Sequence, residues 1–362
     1  MSIALQFCGG LTLLIIGAEL LIRGASRLAG AMGISRLVVG LTVVAFGTSA
    51  PEFAISINAA LSGQAELALG NIIGSNIFNV LFILGISALI APLLVSQQLV
   101  RLDVPLVIIA SATVLLMSLD QNLSRLDGII LFSALIVYVV FVVRVGRKVE
   151  LPTSPSDSPN PLNRNVGSMN WPGNLALTVG GLILLILGSR WLVASSVSLA
   201  QLLGVNELVI GLTIVAAGTS LPEVVTSIVA SIRGEREIAI GNIVGSNLFN
   251  LLGVLGLTSI FAPGGIEISL AVIRFDLPVM LVVAFACLPI FFTGGRISRW
   301  EGAILFAYYV AYTAYLFFAA AHHDALPVFS DVMLYFAIPL TAIPLGVLAL
   351  LAARKENTPP AR

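Results

Sequence analysis

Two glutamates, Glu52 and Glu223, each follow a Gly-Thr-Ser-x-Pro sequence inside a long apolar segment. Glu52 lies 12 residues beyond Gly40, where its apolar segment opens. At about 1.5 Å per helical residue, this places it about 18 Å into the membrane, near the middle. An ionisable side chain at that depth costs about 2.5–3.5 kcal/mol or more. Two such costs in one chain predict a bound cation that offsets them.

A proline directly precedes each glutamate and predicts an interruption of the helix. Pro51 and Pro222 have no N–H, and their rings clash with the carbonyl group four residues earlier. The freed carbonyl oxygens, the two carboxylates and the neighbouring hydroxyls then give a site made of oxygen atoms alone. The hydroxyls are those of Thr48, Ser49, Thr219 and Ser220. Such ligands suit Ca²⁺, which takes six to eight oxygens, and Na⁺ is a hard cation of similar size.

The apolar segment after each glutamate carries a polar stripe. Asn71, Ser75 and Asn79 are spaced by four residues and therefore share one helix face. The second copy of the stripe consists of Asn242, Ser246 and Asn250. Amides and hydroxyls beside glycines predict a face that lines the bundle interior and completes the coordination shell. The asparagines Asn71, Asn76, Asn242 and Asn247 could instead only join helices by hydrogen bonds.

These motifs belong to an internal repeat. Residues 40–86 and 211–257 align without a gap, and 27 of the 47 aligned positions are identical. Because five predicted membrane spans separate each element from its copy, the two copies cross the membrane in opposite directions. Inverted repeats around a shared midplane site are a recurring transporter architecture.

The composition predicts an all-α polytopic membrane protein. The chain is 58% hydrophobic and 10% charged, whereas soluble domains carry about 25% charged residues. About 20 apolar residues are needed for each crossing. The predicted spans lie near 3–22, 37–61, 66–91, 103–119, 127–145, 172–192, 208–232, 237–262, 275–293 and 301–320, with an eleventh near 331–353.

Two membrane halves are predicted, at residues 1–145 and 172–320. A cytoplasmic linker rich in proline and serine joins them at 146–171, and such a composition does not fold alone. The eleventh span and a tail occupy 321–362.

Charged residues predict the orientation. With the N-terminus outside and the C-terminus in the cytoplasm, fifteen of the 18 lysines and arginines fall inside, the exceptions being Arg125, Arg190 and Arg274. A bacterial inner (plasma) membrane is the predicted location. The formal net charge of zero gives no reason to expect a nucleic acid partner. Glu19 and Arg190 occupy equivalent repeat positions near opposite faces, so both are predicted to snorkel and not to pair.

At Gly47–Glu52, Gly70–Asn79 and their copies, the sequence resembles the cation/Ca²⁺ exchanger superfamily, specifically its prokaryotic sodium/calcium exchanger-like branch. The resemblance implies a ten-helix inverted-repeat (5+5) exchanger fold, which the eleventh span exceeds. It also implies exchange of Ca²⁺ for Na⁺ across the lipid bilayer by alternating access. No cofactor and no obligate protein partner are expected. Glu52 and Glu223 would be the central ligands. Flanking and lining ligands would be Thr48, Ser49, Thr219, Ser220, Ser75, Asn79 and Ser246.

Asn250 departs from the family pattern, because related sequences can have aspartate at this position. Two central carboxylates balance one Ca²⁺ or two Na⁺, so a third Na⁺ would enter without a matching charge. The number of Na⁺ ions exchanged for each Ca²⁺ is therefore left open.

The sequence also bears on functions other than exchange of Ca²⁺ for Na⁺. Buried glutamates can release protons when a cation binds, so proton-coupled exchange is an alternative, as is a K⁺-dependent exchanger. An intramembrane serine enzyme is not expected, because the only histidines lie in a predicted outer loop and no lysine lies within a span. A passive channel gives no reason for the inverted duplication of costly carboxylates.

Overall fold

The computed structural model describes residues 2–146, 171–203, 216–292, 295–320 and 326–334, and the single residues 338, 342 and 346. These residues are almost entirely helical, which confirms the predicted all-α class. The first half contains α1 (Ile3–Met32), α2 (Arg36–Thr48), α3 (Ala50–Leu61), α4 (Leu67–Ile90), α5 (Leu99–Asp120) and α6 (Arg125–Gly146).

The second half repeats this order. It contains α7 (Trp171–Leu202), α8 (Ala216–Gly218), α9 (Leu221–Ile232), α10 (Arg236–Phe261), α11 (Val272–Phe292) and α12 (Arg299–Ala320), followed by α13 (Leu326–Val332). Among the described residues, eight helices are long and apolar enough to cross a membrane, or nine if α2 and α3 form one bent span. The predicted span near 208–232 is described only from residue 216, and most of the eleventh predicted span lies outside the described residues.

Two helices extend well beyond their predicted apolar spans. The helix α1 ends at Met32 and not near residue 22, and α7 ends at Leu202 and not near residue 192. In α1, arginines continue the helix beyond the apolar stretch, and Gly33 ends it in the left-handed conformation with φ of 61°. Hydropathy locates the apolar stretch but not the end of a helix.

Short strand pairs fix the relative direction of the halves. The strands are β1 (Leu93–Leu94), β2 (Asn122–Leu123), β3 (Ile266–Glu267) and β4 (Arg296–Ile297). In the repeat, β1 corresponds to β3 and β2 to β4, yet β1 pairs with β4 and β2 pairs with β3. Each strand therefore pairs with the strand of the other half that is not its equivalent in the repeat. The halves are thus antiparallel, as the predicted inversion requires.

The helices α1 and α7 pack closely against each other through glycines. A Cβ atom added to Gly17 would lie 2.8 Å from the carbonyl oxygen of Gly181, and one added to Gly10 would lie 2.9 Å from that of Gly188. The two contacts are related by the repeat, so the approximate two-fold axis passes between them. Small residues allow this close backbone approach in a membrane.

The repeated stripe helices form the centre of the bundle. All of the apolar window of α10 and 78% of that of α4 are buried, against 11% for α12. The outer helices therefore face lipid. The core surrounds the two helices that carry the predicted asparagine and serine ligands.

Candidate cation site

Both glutamates lie at a helix interruption next to proline. In the first half, α2 ends at Thr48 and α3 starts at Ala50 after a bend of 44°, with Pro51 in the first turn of α3. In the second half, α8 ends before a two-residue turn, and α9 begins with Pro222 in its first turn. The predicted interruptions are confirmed. They place Glu52 and Glu223 in the first turns of two short helices.

The two carboxyl groups are buried and come together across the halves. Glu52 is 0% exposed and Glu223 is 1% exposed, and their carboxylates interact electrostatically. The hydroxyl of Ser220 donates a hydrogen bond of 2.8 Å to Oε1 of Glu52. The hydroxyl of Ser49 donates one of 3.2 Å to Oε1 of Glu223. Each glutamate is therefore held by a serine from the opposite half.

Buried polar atoms without a partner are concentrated on the predicted ligands. Within the described part of the chain, the following have no hydrogen-bond partner: Oε2 of Glu52, Oε2 of Glu223, Oδ1 of Asn79, Oγ of Ser246 and both side-chain polar atoms of Asn250. An unsatisfied buried polar group costs about 1–3 kcal/mol. A cation bound among these oxygens would remove that cost, so the residues present fit a transported cation.

The threonines and the first asparagine of each stripe link the halves. Thr48 donates to Oδ1 of Asn242 at 3.0 Å, and Thr219 donates to Oδ1 of Asn71 at 3.3 Å. The threonine hydroxyls thus have partners in the opposite half. These asparagines act as structural links, which was the alternative interpretation of the sequence.

Two serines one turn after the glutamates were not predicted to take part. The amide of Asn71 donates to Oγ of Ser56 at 2.9 Å, and that of Asn242 donates to Oγ of Ser227 at 3.0 Å. Both serines are identical at equivalent positions of the repeat, which was the available signal. They hold the stripe helices against the glutamate helices.

The helices α4 and α10 widen into π-helical turns where the stripes end, at Asn79–Leu84 and Phe249–Val254. Such turns inside α-helices are frequent at functional sites. The amide of Asn79 donates to Oδ1 of Asn247 at 3.2 Å, and Ser75 accepts from Ser220 at 3.2 Å. Ser75 and Asn79 therefore both lie at the junction of the halves.

The donor set favours a hard cation. Across the described residues, no group of three or more His, Cys, Asp and Glu side chains gathers. Two carboxylates must therefore be supplemented by neutral hydroxyl, amide and backbone oxygens. Oxygen ligands of this kind suit Ca²⁺ and Na⁺ and do not suit metals that prefer sulfur or imidazole.

The family of sodium/calcium exchanger proteins matches this chain over residues 2–144 and 173–318. The chain belongs to this family. The exchanger is 38% identical over 311 residues to the putative antiporter CaxA of Alkalimonas amylolytica, covering 85% of this chain and 96% of that protein. It is 32% identical over 341 residues to the sodium/calcium exchanger MaX1 of Methanosarcina acetivorans, covering 85% of this chain and 97% of that protein.

Solved structures of the sodium-calcium exchanger NCX_Mj resemble the exchanger in fold. One, soaked with 10 mM Na⁺ and no Ca²⁺, superposes with a TM-score of 0.74 at 29% sequence identity. The match covers 86% of this chain and 99% of that chain. The fold is therefore the inverted-repeat exchanger fold that the resemblance implied.

The exchanger is not symmetric at the two ends of its site. Along the described helices, α1 packs against α9, whereas the equivalent contact of α7 with α3 is far weaker. Asn242 is buried while the equivalent Asn71 is only partly buried. Added Cβ atoms at the equivalent Gly47 and Gly218 would both meet side chains of α7, although two-fold symmetry would place one against α1. The α1–α7 pair therefore closes the end predicted to be cytoplasmic more tightly.

Proposed function

We propose that this chain is a secondary active transporter that exchanges Ca²⁺ for Na⁺ by alternating access. The transported ions would bind between Glu52 and Glu223 near the middle of the membrane. Membership of the sodium/calcium exchanger family supports cation exchange as the general activity. The choice of Na⁺ as coupling ion and the ligand set are the parts proposed here.

One observation carries this proposal. Each buried glutamate uses one oxygen to accept a hydrogen bond from a serine of the opposite half, while its other oxygen has no partner. A rigid structural pair would be expected to satisfy all four oxygens. Two oriented carboxylates with free oxygens at the junction of two antiparallel halves can instead bind a cation. Because each carboxylate is bonded to the opposite half, a movement of one half relative to the other changes the site.

The further proposed ligands form two matching groups, one in each half. Thr48, Ser49, Ser75 and Asn79 come from the first half, and Thr219, Ser220, Ser246 and Asn250 come from the second. Because the threonine hydroxyls donate to asparagines, we expect the threonines to contribute mainly through backbone oxygens at the helix interruptions. Asn250 is neutral, so the protein's own charge at the site comes from the two glutamates.

Coupling follows from the cost of burying charge. Ca²⁺ and Na⁺ would compete for overlapping positions around the glutamates. With either ion load bound, the site is close to neutral and the two halves can change access. A bare pair of carboxylates resists closure, because desolvating both is costly. This penalty favours exchange over leak.

We also propose the location and orientation that the charges predict. The exchanger would lie in the bacterial plasma membrane with its N-terminus outside, and residues 146–171 would form a cytoplasmic tether between the halves. Labelling of single cysteines placed at Gln121 and Gln98, which lie in connections at opposite ends of α5, would test the orientation. An impermeant thiol reagent applied to intact cells should label the cysteine at position 121 and not that at position 98.

The function is tested with purified protein in vesicles. We expect radiolabelled Ca²⁺ to accumulate when Na⁺ is loaded inside and diluted outside, and not when only a pH gradient is imposed. Uptake driven by the pH gradient alone would contradict Na⁺ coupling and support proton coupling. A requirement for K⁺ on the Ca²⁺ side would favour the K⁺-dependent alternative. Ca²⁺ movement without any gradient of another ion would indicate a channel.

A further inference from the structure

The turn between α9 and α10 forms a charged contact with α1 at the closed end of the exchanger. Arg233 binds the carboxylate of Glu19 through two nitrogens, with distances of 2.9 Å from Nε to Oε2 and 2.8 Å from Nη2 to Oε1. Arg23 pairs with the same carboxylate from the following turn of α1 at 2.5 Å. The sequence prediction for Glu19 did not include these two partners. This residue joins α1 to the second half.

A second carboxylate in the same turn binds two elements of the first half. Glu235 accepts a hydrogen bond of 3.1 Å from Ser26 of α1 and one of 2.8 Å from Arg36 at the start of α2. Arg36 therefore orients Glu235 toward α1. Together, Arg233 and Glu235 hold α1 at two points separated by about two helical turns.

The opposite end of the molecule has the same turn without these charges. Gly63 and Gly234 occupy equivalent positions with φ of 75° and 79°. The following residues donate the same backbone hydrogen bond, from Gln64 to Ala59 at 2.8 Å and from Glu235 to Ala230 at 2.9 Å. The backbone geometry of the two turns is therefore equal. Any difference between them lies in the side chains.

Every charged residue of this contact has a different residue type at the equivalent position of the repeat. Arg233 and Glu235 correspond to Ser62 and Gln64, and Glu19 corresponds to Arg190. Arg23 corresponds to Ala194, and Arg36 corresponds to Glu207, which lies outside the described residues. At the other end, Arg190 and Ser62 thus stand where Glu19 and Arg233 form their ion pair. Among the described residues, that pair has no counterpart of opposite charge at the equivalent positions.

This difference bears directly on the two access states. In an inverted-repeat transporter, the second state exchanges the roles of the halves. The contact of α1 with the α9–α10 turn then opens, and the contact of α7 with the α3–α4 turn forms in its place. Ion pairs stabilise the first closed end, while Ser62, Gln64 and Arg190 of the second end provide no counterpart of the Glu19–Arg233 pair. The side chains therefore favour one state over the other.

We propose that Glu19, Arg233, Ser26 and Glu235 form an ionic latch that keeps the predicted cytoplasmic end closed. The latch biases the exchanger toward the state in which its site opens to the other side. This inference rests on the proposed alternating access. It assigns a function to Glu19, Ser26, Arg233 and Glu235, which are not among the proposed ion ligands.

The expected size of the bias is modest. Arg23 and Arg233 have side chains that are 56% and 54% exposed, so water and salt screen the pairs. Exposed ion pairs with good geometry each shift an equilibrium by a factor of about two to five. We therefore expect loss of the latch to change the ratio of the two states by about three- to tenfold.

Distance measurements between spin labels test the latch without requiring transport. Labels are placed at Met32 and Ile232, which are exposed at the ends of α1 and α9, in a background of Cys8→Ala and Cys287→Ala. Glu19→Gln with Glu235→Gln should increase a population with a longer distance by about three- to tenfold. Salt at about 1 M should produce a similar change in the unsubstituted exchanger.

Matched variants separate the latch from general loss of structure. Arg190→Gln, at the position equivalent to Glu19, should leave the distance distribution unchanged. The charge exchange Glu19→Arg with Arg233→Glu should restore the shorter distance, because the introduced carboxylate faces two arginines. An unchanged distribution in Glu19→Gln/Glu235→Gln, or an equal change in Arg190→Gln, would overturn the latch.

Transport from each side provides a second readout. In the latch variant, the apparent Ca²⁺ affinity measured from the predicted cytoplasmic side should rise by about three- to tenfold, with a smaller decrease from the other side. If Na⁺-driven uptake occurs but the substitutions leave the apparent Ca²⁺ affinity from each side unchanged, the latch is wrong and the proposed exchange is retained. If the distance changes as expected but no Na⁺-driven uptake occurs, the proposed exchange is wrong and the latch is retained.

Discussion

The two copies of the repeat agree around the glutamates and differ at their charged turns. Near the site, each contact in one half has a counterpart in the other, such as Ser220 with Glu52 and Ser49 with Glu223. At the turns, Arg233 and Glu235 bind α1, while Ser62 and Gln64 cannot form such pairs. If the proposed function holds, ion binding depends on the residues that the copies share. The proposed preference for one access state depends on the residues in which they differ.

The strongest test of the shared site is to remove one carboxylate charge at a time. Glu52→Gln and Glu223→Gln should each lower Ca²⁺ affinity by about 100-fold or more, because a buried charge loses its partner. Radiolabelled Ca²⁺ uptake and direct Ca²⁺ titration would measure this. Both variants should remain folded, as judged by a single peak in size-exclusion chromatography. Normal exchange in either one contradicts an equal contribution from the two halves.

The serines that cross between the halves come next. Ser220→Ala and Ser49→Ala should each weaken Ca²⁺ binding by about tenfold, since a hydrogen bond to a charged group contributes about 1.5–3 kcal/mol. We expect the larger effect for Ser220, because its bond to glutamate is shorter and it also contacts Ser75. Ser118→Ala is a suitable control, since that buried hydroxyl donates only to its own helix. Weaker Ca²⁺ binding in only one of the two variants would contradict equivalent roles for the two serines.

The asparagines that brace the site should differ between the copies. Asn242 is buried, whereas the equivalent Asn71 is only partly buried. Asn242→Ala should therefore reduce stability by about 2 kcal/mol and Asn71→Ala by about 1 kcal/mol, because water can replace part of the lost bonding in the second case. The Tm of the detergent-solubilised protein would rank them. The reverse order would show that the asymmetry of the two ends is not retained in solution.

The smallest expected difference concerns the two turn glycines. Gly63→Ala and Gly234→Ala should each reduce stability by about 1 kcal/mol, since both glycines have positive φ and no neighbouring atom within 4 Å of an added Cβ. Equal shifts in Tm would confirm that the two turns share one backbone geometry. A clearly larger shift for Gly234 would mean that its backbone is coupled to the latch charges.

Much of the fold was predictable because the relevant signals are local. Apolar length marks the membrane helices, and the gap-free repeat separated by five spans requires inversion. Pro51 and Pro222 predicted the helix interruptions that the structure contains. Helix ends were less predictable, as the extension of α1 to Met32 shows, because a helix can continue after its side chains stop being apolar.

The candidate site was partly predictable for a related reason. A carboxylate within an apolar span is costly wherever the chain folds, so Glu52 and Glu223 could be identified before their surroundings were known. Ser56 and Ser227 could not be assigned in this way, because a buried serine has many ordinary roles. Only their bonds to the stripe asparagines reveal what they do.

By itself, the sequence determined which glutamates lie deep within apolar spans, the antiparallel relation of the two halves and the residue types available at the site. The tertiary structure decided which serine holds which glutamate, through bonds between residues 174 and 168 positions apart. It also decided that Glu19 binds Arg233, 214 positions away. Such partners are not encoded in spacing, since they depend on how two packed halves are displaced relative to each other. That displacement is a property of the assembled bundle and not of either repeat alone.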